Sequence, residues 1–103
     1  MSVAIVSNVK GELVMRERLI LSSRAFVEIV IWRLPKALPA SRHAFKYRLA
    51  YIANQRCVVR FDNEAGKGDH KHVGEIEAPY EFSNLDDLQA DFWTEVSKRR
   101  KRK

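Results

Sequence analysis

Hydrophobic and polar residues alternate along much of the chain, and this spacing predicts strands. Residues 26–34 are dense in β-branched and aromatic side chains and end at Pro35, which cannot donate a hydrogen bond to a neighbouring strand. In residues 44–52, Phe45, Tyr47, Leu49 and Tyr51 share one face, and Lys46 and Arg48 share the other. The first segment predicts a strand that is central or buried on both faces, and the second predicts a strand with one buried face.

Residues 56–62 continue the alternation after a short turn at Asn54-Gln55, so the two segments predict a β-hairpin. Cys57 is the only cysteine and stands in the apolar run of this strand, where we expect a buried, inert thiol. Residues 13–21 predict one more strand, although their Arg and Glu content would suit a helical turn equally well. Residues 1–12 predict a weak strand or an extended arm that ends at Gly11.

Near the C terminus, the spacing of the apolar residues changes from that of a strand to that of a helix. Leu85, Leu88, Phe92 and Val96 recur at helical spacing over residues 84–96, and Ser83 with Asp86 three positions later resembles a capping box. The sequence therefore predicts an α+β fold, an antiparallel β-meander of about four to six strands with a C-terminal helix packed on one face.

The net charge of +6 is concentrated at the end of the chain. Residues 98–103 are all basic; the remaining thirteen Lys and Arg balance the thirteen Asp and Glu. We expect one domain over residues 1–97 and a solvated, frayed basic tail over 98–103. Residues 1–10 show no signal-peptide pattern, and the apolar runs are too short to cross a bilayer, so we expect a cytoplasmic protein that does not enter membranes.

Residues 60–74 differ from an ordinary connector because they hold three acids, three bases, two histidines and three glycines. Gly66 and Gly68 permit positive φ angles, so Lys67 could stand between two exposed amides in a geometry that suits an anion. The glycine spacing does not match a nucleotide-binding phosphate loop. This segment is where we expect the function to lie.

Three interpretations of the segment remain open. It could be a polar turn in which Asp62 and Asn63 bond to their own backbone. It could hold a metal through Asp69, His70 and His72, although the Cys pairs of a strong zinc motif are absent. It could act on a phosphodiester, because histidine exchanges protons near neutral pH.

We favour the phosphodiester interpretation, with no metal and no cofactor. His70 and His72 would act as base and acid, together with Lys67 and Asp69. The interpretation requires the imidazoles to lie on the cationic side of the sheet. The candidate phosphate ligands are Lys46, Arg48, Arg60 and Lys71, and possible supporting residues are Asp62, Glu64 and His43.

The chain also resembles a known family over about residues 13–96. The segments that carry the resemblance are Ile31-Trp32-Arg33-Leu34-Pro35, Ser41-Arg42-His43, Lys46-Tyr47-Arg48-Leu49-Ala50-Tyr51, Phe61 to His72, Pro79-Tyr80-Glu81-Phe82 and Asp91-Phe92-Trp93. In these segments the chain is similar to the TumE-like family of prokaryotic toxin-antitoxin toxins. The basic end of the chain departs from the family pattern.

The resemblance implies a small toxin of a type II toxin-antitoxin system, encoded beside a helix-turn-helix antitoxin that binds it. The residues themselves suggest RNA as the target and endoribonuclease action as the activity. Two other interpretations stay open: a module that inhibits growth by occupying a nucleic acid or protein without chemistry, and a chiefly structural subunit. A homodimer is possible, and either the helix or an exposed strand edge could bind the antitoxin.

Overall fold

A computed structural model describes residues 11–64 and 66–101, the last of them without its side chain. The predicted strand or arm before residue 11 lies outside these residues. Within these residues six strands are followed by one helix, which agrees with the predicted four to six strands and C-terminal helix. They are β1 (Glu12–Ser22), β2 (Ala25–Arg33), β3 (Phe45–Ala53), β4 (Arg56–Glu64), β5 (Gly68–Val73), β6 (Ile76–Pro79) and α1 (Leu85–Lys101).

The six strands form one antiparallel sheet in chain order, which confirms the predicted meander and α+β class. β5 and β6 were not assigned as separate strands from the sequence. Charged and polar side chains occupy both faces of β5, so no apolar alternation marks it. β6 is only four residues long and mostly exposed.

The core lies between α1 and one face of the sheet. Phe61 of β4 packs edge-on against Phe92 of α1, with ring centroids 5.8 Å apart, and both side chains are fully buried. Burial of each such side chain stabilises the fold by about 1.5–3 kcal/mol. The other members of the core cluster are Ala25, Val27, Ile29, Ile31, Tyr47, Leu49, Tyr51, Val59, Leu88 and Val96.

The opposite face of the sheet is here called the open face. Along every strand, successive side chains point alternately to the core face and to the open face. In β2 the core-facing residues are buried and the intervening Phe26, Val30 and Trp32 are half-buried. The sequence predicted a strand that is central or buried on both faces. β2 lies between β1 and β3, so it is an interior strand, but only its core face is fully buried.

The β3–β4 hairpin forms where it was predicted, with Asn54 and Gln55 both at positive φ (53° and 69°), as a two-residue hairpin turn requires. The register slips by one residue between the Tyr51–Val59 and Ile52–Cys57 pairs. This bulge turns Cys57 to solvent, so the prediction of a buried thiol was wrong.

The N-cap of α1 is Asn84, one residue after the predicted Ser83. Asn84 Oδ1 accepts a 2.7 Å hydrogen bond from the Asp87 backbone N–H. The helix continues to Lys101, so residues 98–101 of the basic run are helical rather than a frayed tail. In the part of the chain that the structure describes, no helix has the length and apolarity to cross a membrane.

Candidate functional site

The pairing of β4 with β5 brings both histidines of β5 to the open face. His70 is opposite Asp62 and His72 is opposite Arg60, while Arg48 of β3 is opposite Asp62 on its other side. Cross-strand partners project to the same face of a sheet. The imidazoles therefore share a surface with the predicted cations, which is the arrangement that the phosphodiester interpretation required.

His72 is the more accessible of the two imidazoles. Its side chain is 28% exposed, compared with 6% for His70. The Arg60 Nη2 group lies 2.8 Å from His72 Nε2, and a guanidinium can only donate, so Nε2 accepts. Glu77 Oε2 of β6 is 3.4 Å from the same nitrogen. The lone pair of His72 thus faces a cation and a carboxylate at the surface.

Asp62 links Arg60 to His70 behind this surface. Its Oδ2 is 3.3 Å from Arg60 Nε, and its Oδ1 is 2.8 Å from His70 Nε2. Both contacts are close but poorly angled, so Arg60 Nε and Asp62 Oδ1 are buried without a hydrogen bond among the described residues. His70 Nδ1 donates to the Gly68 carbonyl at 3.0 Å. The His70 ring is therefore fixed, and Arg60 is close to Asp62 but incompletely satisfied.

Lys67 and Glu77 form a 2.8 Å ion pair at the edge of the same cluster. The hydrogen bond raises the pKa of Lys67 and lowers the pKa of Glu77 from their ordinary values. The proposed anion-binding amides are already used, because Gly66 N–H donates to Pro39 O and Lys67 N–H to Glu64 O, each at 3.1 Å. These two amides are therefore not free for an anion beside Lys67.

Asp69 faces away from the histidines, on the core side of β5. It accepts hydrogen bonds from Ser41 Oγ (2.6 Å), His43 Nε2 (2.6 Å) and Tyr47 Oη (2.8 Å). The Phe45 backbone N–H donates to His43 Nδ1 at 3.1 Å, which assigns the His43 proton to Nε2. Both nitrogens of His43 are therefore used, and Asp69 and His43 hold the preceding loop to β5.

The other predicted residues divide between the two faces. Lys71 points to the helix side, where its Nζ is 3.5 Å from Glu95 Oε2. Arg48 is exposed on the open face, and Lys46 on the same face donates from Nζ to the Asn63 carbonyl at 3.0 Å. Glu64 ends β4 and is exposed. The structure thus separates Asp69, Lys71 and His43 from the histidine cluster.

Two residues outside the predicted site organise these surfaces: Asn63, which was considered only as a turn residue bonding to its own backbone, and Glu77, which the sequence did not single out. Asn63 is fully buried; its side chain accepts from the Tyr47 N–H (3.0 Å) and donates to the Phe45 carbonyl (2.7 Å). Glu77 completes the surface cluster. No sequence pattern marked Glu77, because its role depends on the pairing of β6 with His72.

The donor atoms of His70, His72 and Glu77 lie within 4.8 Å of one another, close enough to be compatible with one metal ion. This set differs from the Asp69, His70 and His72 set considered from the sequence, because Asp69 lies on the other face. Arg60 and Lys67 contact two of the three donors. The negative charge of the cluster is therefore already balanced by cations of the protein.

Comparison with known proteins adds a family. The model of a protein family described as toxin TumE matches residues 5–100, which is nearly the whole chain. No curated protein and no solved structure matches the chain. The match agrees with the resemblance carried by the polar segment and the strands before it. The chain therefore belongs to the TumE toxin family, and its role is that of a toxin.

Proposed function

We propose that this toxin is an endoribonuclease that cleaves RNA by attack of the ribose 2′-hydroxyl on the adjacent phosphorus. One observation carries the proposal. The imidazole of His72, which is 28% exposed, lies 2.8 Å from the Arg60 guanidinium, on the face that also presents Lys46 and Arg48. A proton acceptor and phosphate-binding cations are the two elements that this reaction needs.

Arg60 connects substrate binding to activation of His72. Without RNA, the guanidinium donates to His72 Nε2 and leaves its own Nε without a hydrogen bond. A phosphate is a stronger acceptor than a neutral imidazole, and the planar guanidinium can bind it through two N–H groups. Binding of the scissile phosphate would draw Arg60 away and free the His72 lone pair for the 2′-hydroxyl.

The proposed reaction needs no metal. The 2′-oxygen bonds to phosphorus, and its proton passes to His72 Nε2. The bond from phosphorus to the 5′-oxygen breaks, that oxygen takes a proton from water, and the resulting hydroxide takes the proton back from His72. The products carry a 2′,3′-cyclic phosphate and a 5′-hydroxyl. The guanidinium of Arg60 neutralises charge on the pentacoordinate phosphorus. His70, almost fully buried, acts as a positioning residue beside Asp62 rather than as the second proton carrier expected from the sequence.

Toxin family membership also implies an antitoxin in general. We propose that this partner is a helix-turn-helix protein encoded beside the toxin gene, and that the toxin acts in the cytoplasm. Binding of the antitoxin over the open face would block access to His72 and Arg60.

A second candidate function is inhibition without chemistry, by tight occupation of an RNA or a protein. One observation favours it. The His72 lone pair is already engaged by Arg60, and Lys67 is already paired with Glu77. Groups held in this way suit recognition as well as reaction.

The ends of the products distinguish these functions. We expect purified toxin to cut 5′-labelled RNA in the presence of EDTA and to leave 2′,3′-cyclic phosphates. RNA that stays intact while remaining bound would support the second function. Cleavage that requires added divalent metal, or that leaves 5′-phosphates, would contradict the proposed mechanism.

A further inference from the structure

The open face continues beyond the histidine cluster as a basic and apolar surface. Strand register defines a row across the sheet, from His70 through Asp62, Arg48 and Val30 to Arg16 of β1. Adjacent strands are about 4.8 Å apart, so Arg16 lies about 10 Å from Arg48 and about 19 Å from the histidine strand. The row is therefore long enough for several nucleotides.

The row holds two arginines and one acid, Asp62, which contacts Arg60 and His70 rather than Arg48. Arg16 and Arg48 are exposed, and neither has an ion-pair partner among the residues that the structure describes. By contrast, Arg18, on the next row, is paired with Glu28 at 2.9 Å and lies over the Phe26 ring. Two arginines on one line of the open face, both without an ion-pair partner in the described part of the chain, fit a chain of negative charges.

An apolar surface lies between and beside the arginines: Val30 separates Arg16 from Arg48, and Trp32 lies on the next row. Val30 and Trp32 of β2 are half-buried on the open face, and Trp32 is the cross-strand neighbour of Lys46. Within residues 11–64 and 66–101, no aromatic ring stacks on Trp32 and no cation lies over it. A planar side chain beside cations is a stacking platform for an unpaired base.

We propose that the open face binds single-stranded RNA laid across the strands, with phosphates on Arg16 and Arg48 and a base stacked on Trp32, so that the chain leads to His72. This inference rests on the proposed function and names its substrate class. A duplex offers phosphates but no exposed base faces, so it would not use Trp32. An acidic peptide would use the arginines without the ring.

The binding experiment uses 2′-O-methyl oligonucleotides, which lack the attacking hydroxyl and cannot be cleaved by the proposed route. We expect the single strand to bind more tightly than a duplex of the same sequence. For a single strand, log K falls with log salt by about 0.7 per phosphate contact. Arg16→Ala and Arg48→Ala should each reduce that slope by about 0.7, and Arg42→Ala, an exposed loop arginine outside the row, should leave it unchanged.

Stacking is tested with fluorescence. Trp93→Phe removes the other tryptophan, which packs against the core, and leaves Trp32 as the reporter. We expect the single strand to quench Trp32 emission, and a polyglutamate of equal charge to leave it unchanged. Trp32→Leu should weaken binding about fivefold or more, as loss of one base stack predicts. Circular dichroism of each variant confirms that it is folded.

The outcomes separate this inference from the proposed function. Equal binding of duplex and single strand, equal binding of polyglutamate, or unaltered salt slopes in both arginine variants would overturn the single-strand path even if RNA is cleaved. Quenching and altered slopes without cleavage of ordinary RNA would support the path and overturn the nuclease.

Discussion

Asp69 and His70 are consecutive in β5, and their side chains serve opposite faces of the sheet. Asp69 accepts three hydrogen bonds on the core side, whereas His70 lies against Asp62 on the open face. A strand reverses its side chains at every residue, so neighbours in sequence cannot share a site on a flat sheet. The polar segment therefore supplies both a structural anchor and a candidate active site.

Asp69→Asn should destabilise the fold without abolishing RNA cleavage. The amide retains only one acceptor oxygen where the carboxylate accepts from Ser41, His43 and Tyr47, and hydrogen bonds to a charged group contribute about 1.5–3 kcal/mol. We expect a loss of about 2–4 kcal/mol in urea unfolding, with RNA cleavage within a few-fold of wild type at 20 °C. Asp91→Asn, at an exposed acceptor of one Tyr80 bond, is the matched control. Unchanged stability with lost cleavage would place Asp69 in the reaction.

Alkaline pH should destabilise the protein through Tyr47. Burial, followed by the hydrogen bond to Asp69, raises the pKa of Tyr47 above its ordinary value. The unfolded chain therefore loses this proton first, near pH 10, while the folded chain keeps it. The stabilisation is complete below about pH 10 and declines above it by up to about 1.4 kcal/mol per pH unit. Tyr47→Phe should flatten the fall in melting temperature between pH 9.5 and 11, although Tyr80 contributes in the same direction. An equal slope in the variant would contradict this assignment.

The guanidinium of Arg60 should be needed for its shape as well as its charge. Arg60 reaches His72 and Asp62 together, which the single ammonium of lysine cannot reproduce. We expect Arg60→Lys to slow single-turnover cleavage about 10–100-fold, since loss of one transition-state donor costs about 100-fold or more. Arg42→Ala measures the effect of losing a surface arginine elsewhere. Full activity in Arg60→Lys would remove Arg60 from the mechanism.

Gly74, in the β5–β6 turn, should resist substitution because of its backbone conformation. It has φ +64°, and a Cβ there would meet the Arg99 guanidinium, which ends a flexible side chain and can move aside. We expect Gly74→Ala to cost about 1 kcal/mol, from backbone strain. Arg99→Ala should change this cost by less than about 0.5 kcal/mol in a double-mutant cycle measured by urea unfolding. Full recovery of stability in the double variant would contradict this and assign the cost to the collision.

The sequence predicted the elements that follow a hydrophobic period, and it missed those that depend on pairing. The Asn54-Gln55 hairpin and the Leu88, Phe92 and Val96 stripe formed as expected, because local turn chemistry and helical spacing determine them. The outward turn of Cys57 depends on a bulge, which no local pattern marked.

The candidate site was predicted only in part, because some of its residues come together through strand pairing rather than through a local pattern. His70 and His72 reached the cationic face because two residues of one strand share a side. Glu77 lies beside them only because β6 pairs with β5. Asp69 points to the opposite face because β5 has no bulge and its side chains alternate regularly. Burial of His70 is a tertiary property, so the sequence could not tell which histidine is accessible.

The central claim is that His72, on the cationic face, carries the proton transfer. It is tested most directly by single-turnover RNA cleavage with His72→Ala and with His43→Gln, the matched histidine on the other side of β5, each verified as folded by circular dichroism. We expect His72→Ala to slow cleavage by about 100-fold or more, as loss of a general base predicts, and His43→Gln to stay within a few-fold of wild type. Wild-type cleavage by His72→Ala, or an equal loss in both variants, would contradict the account.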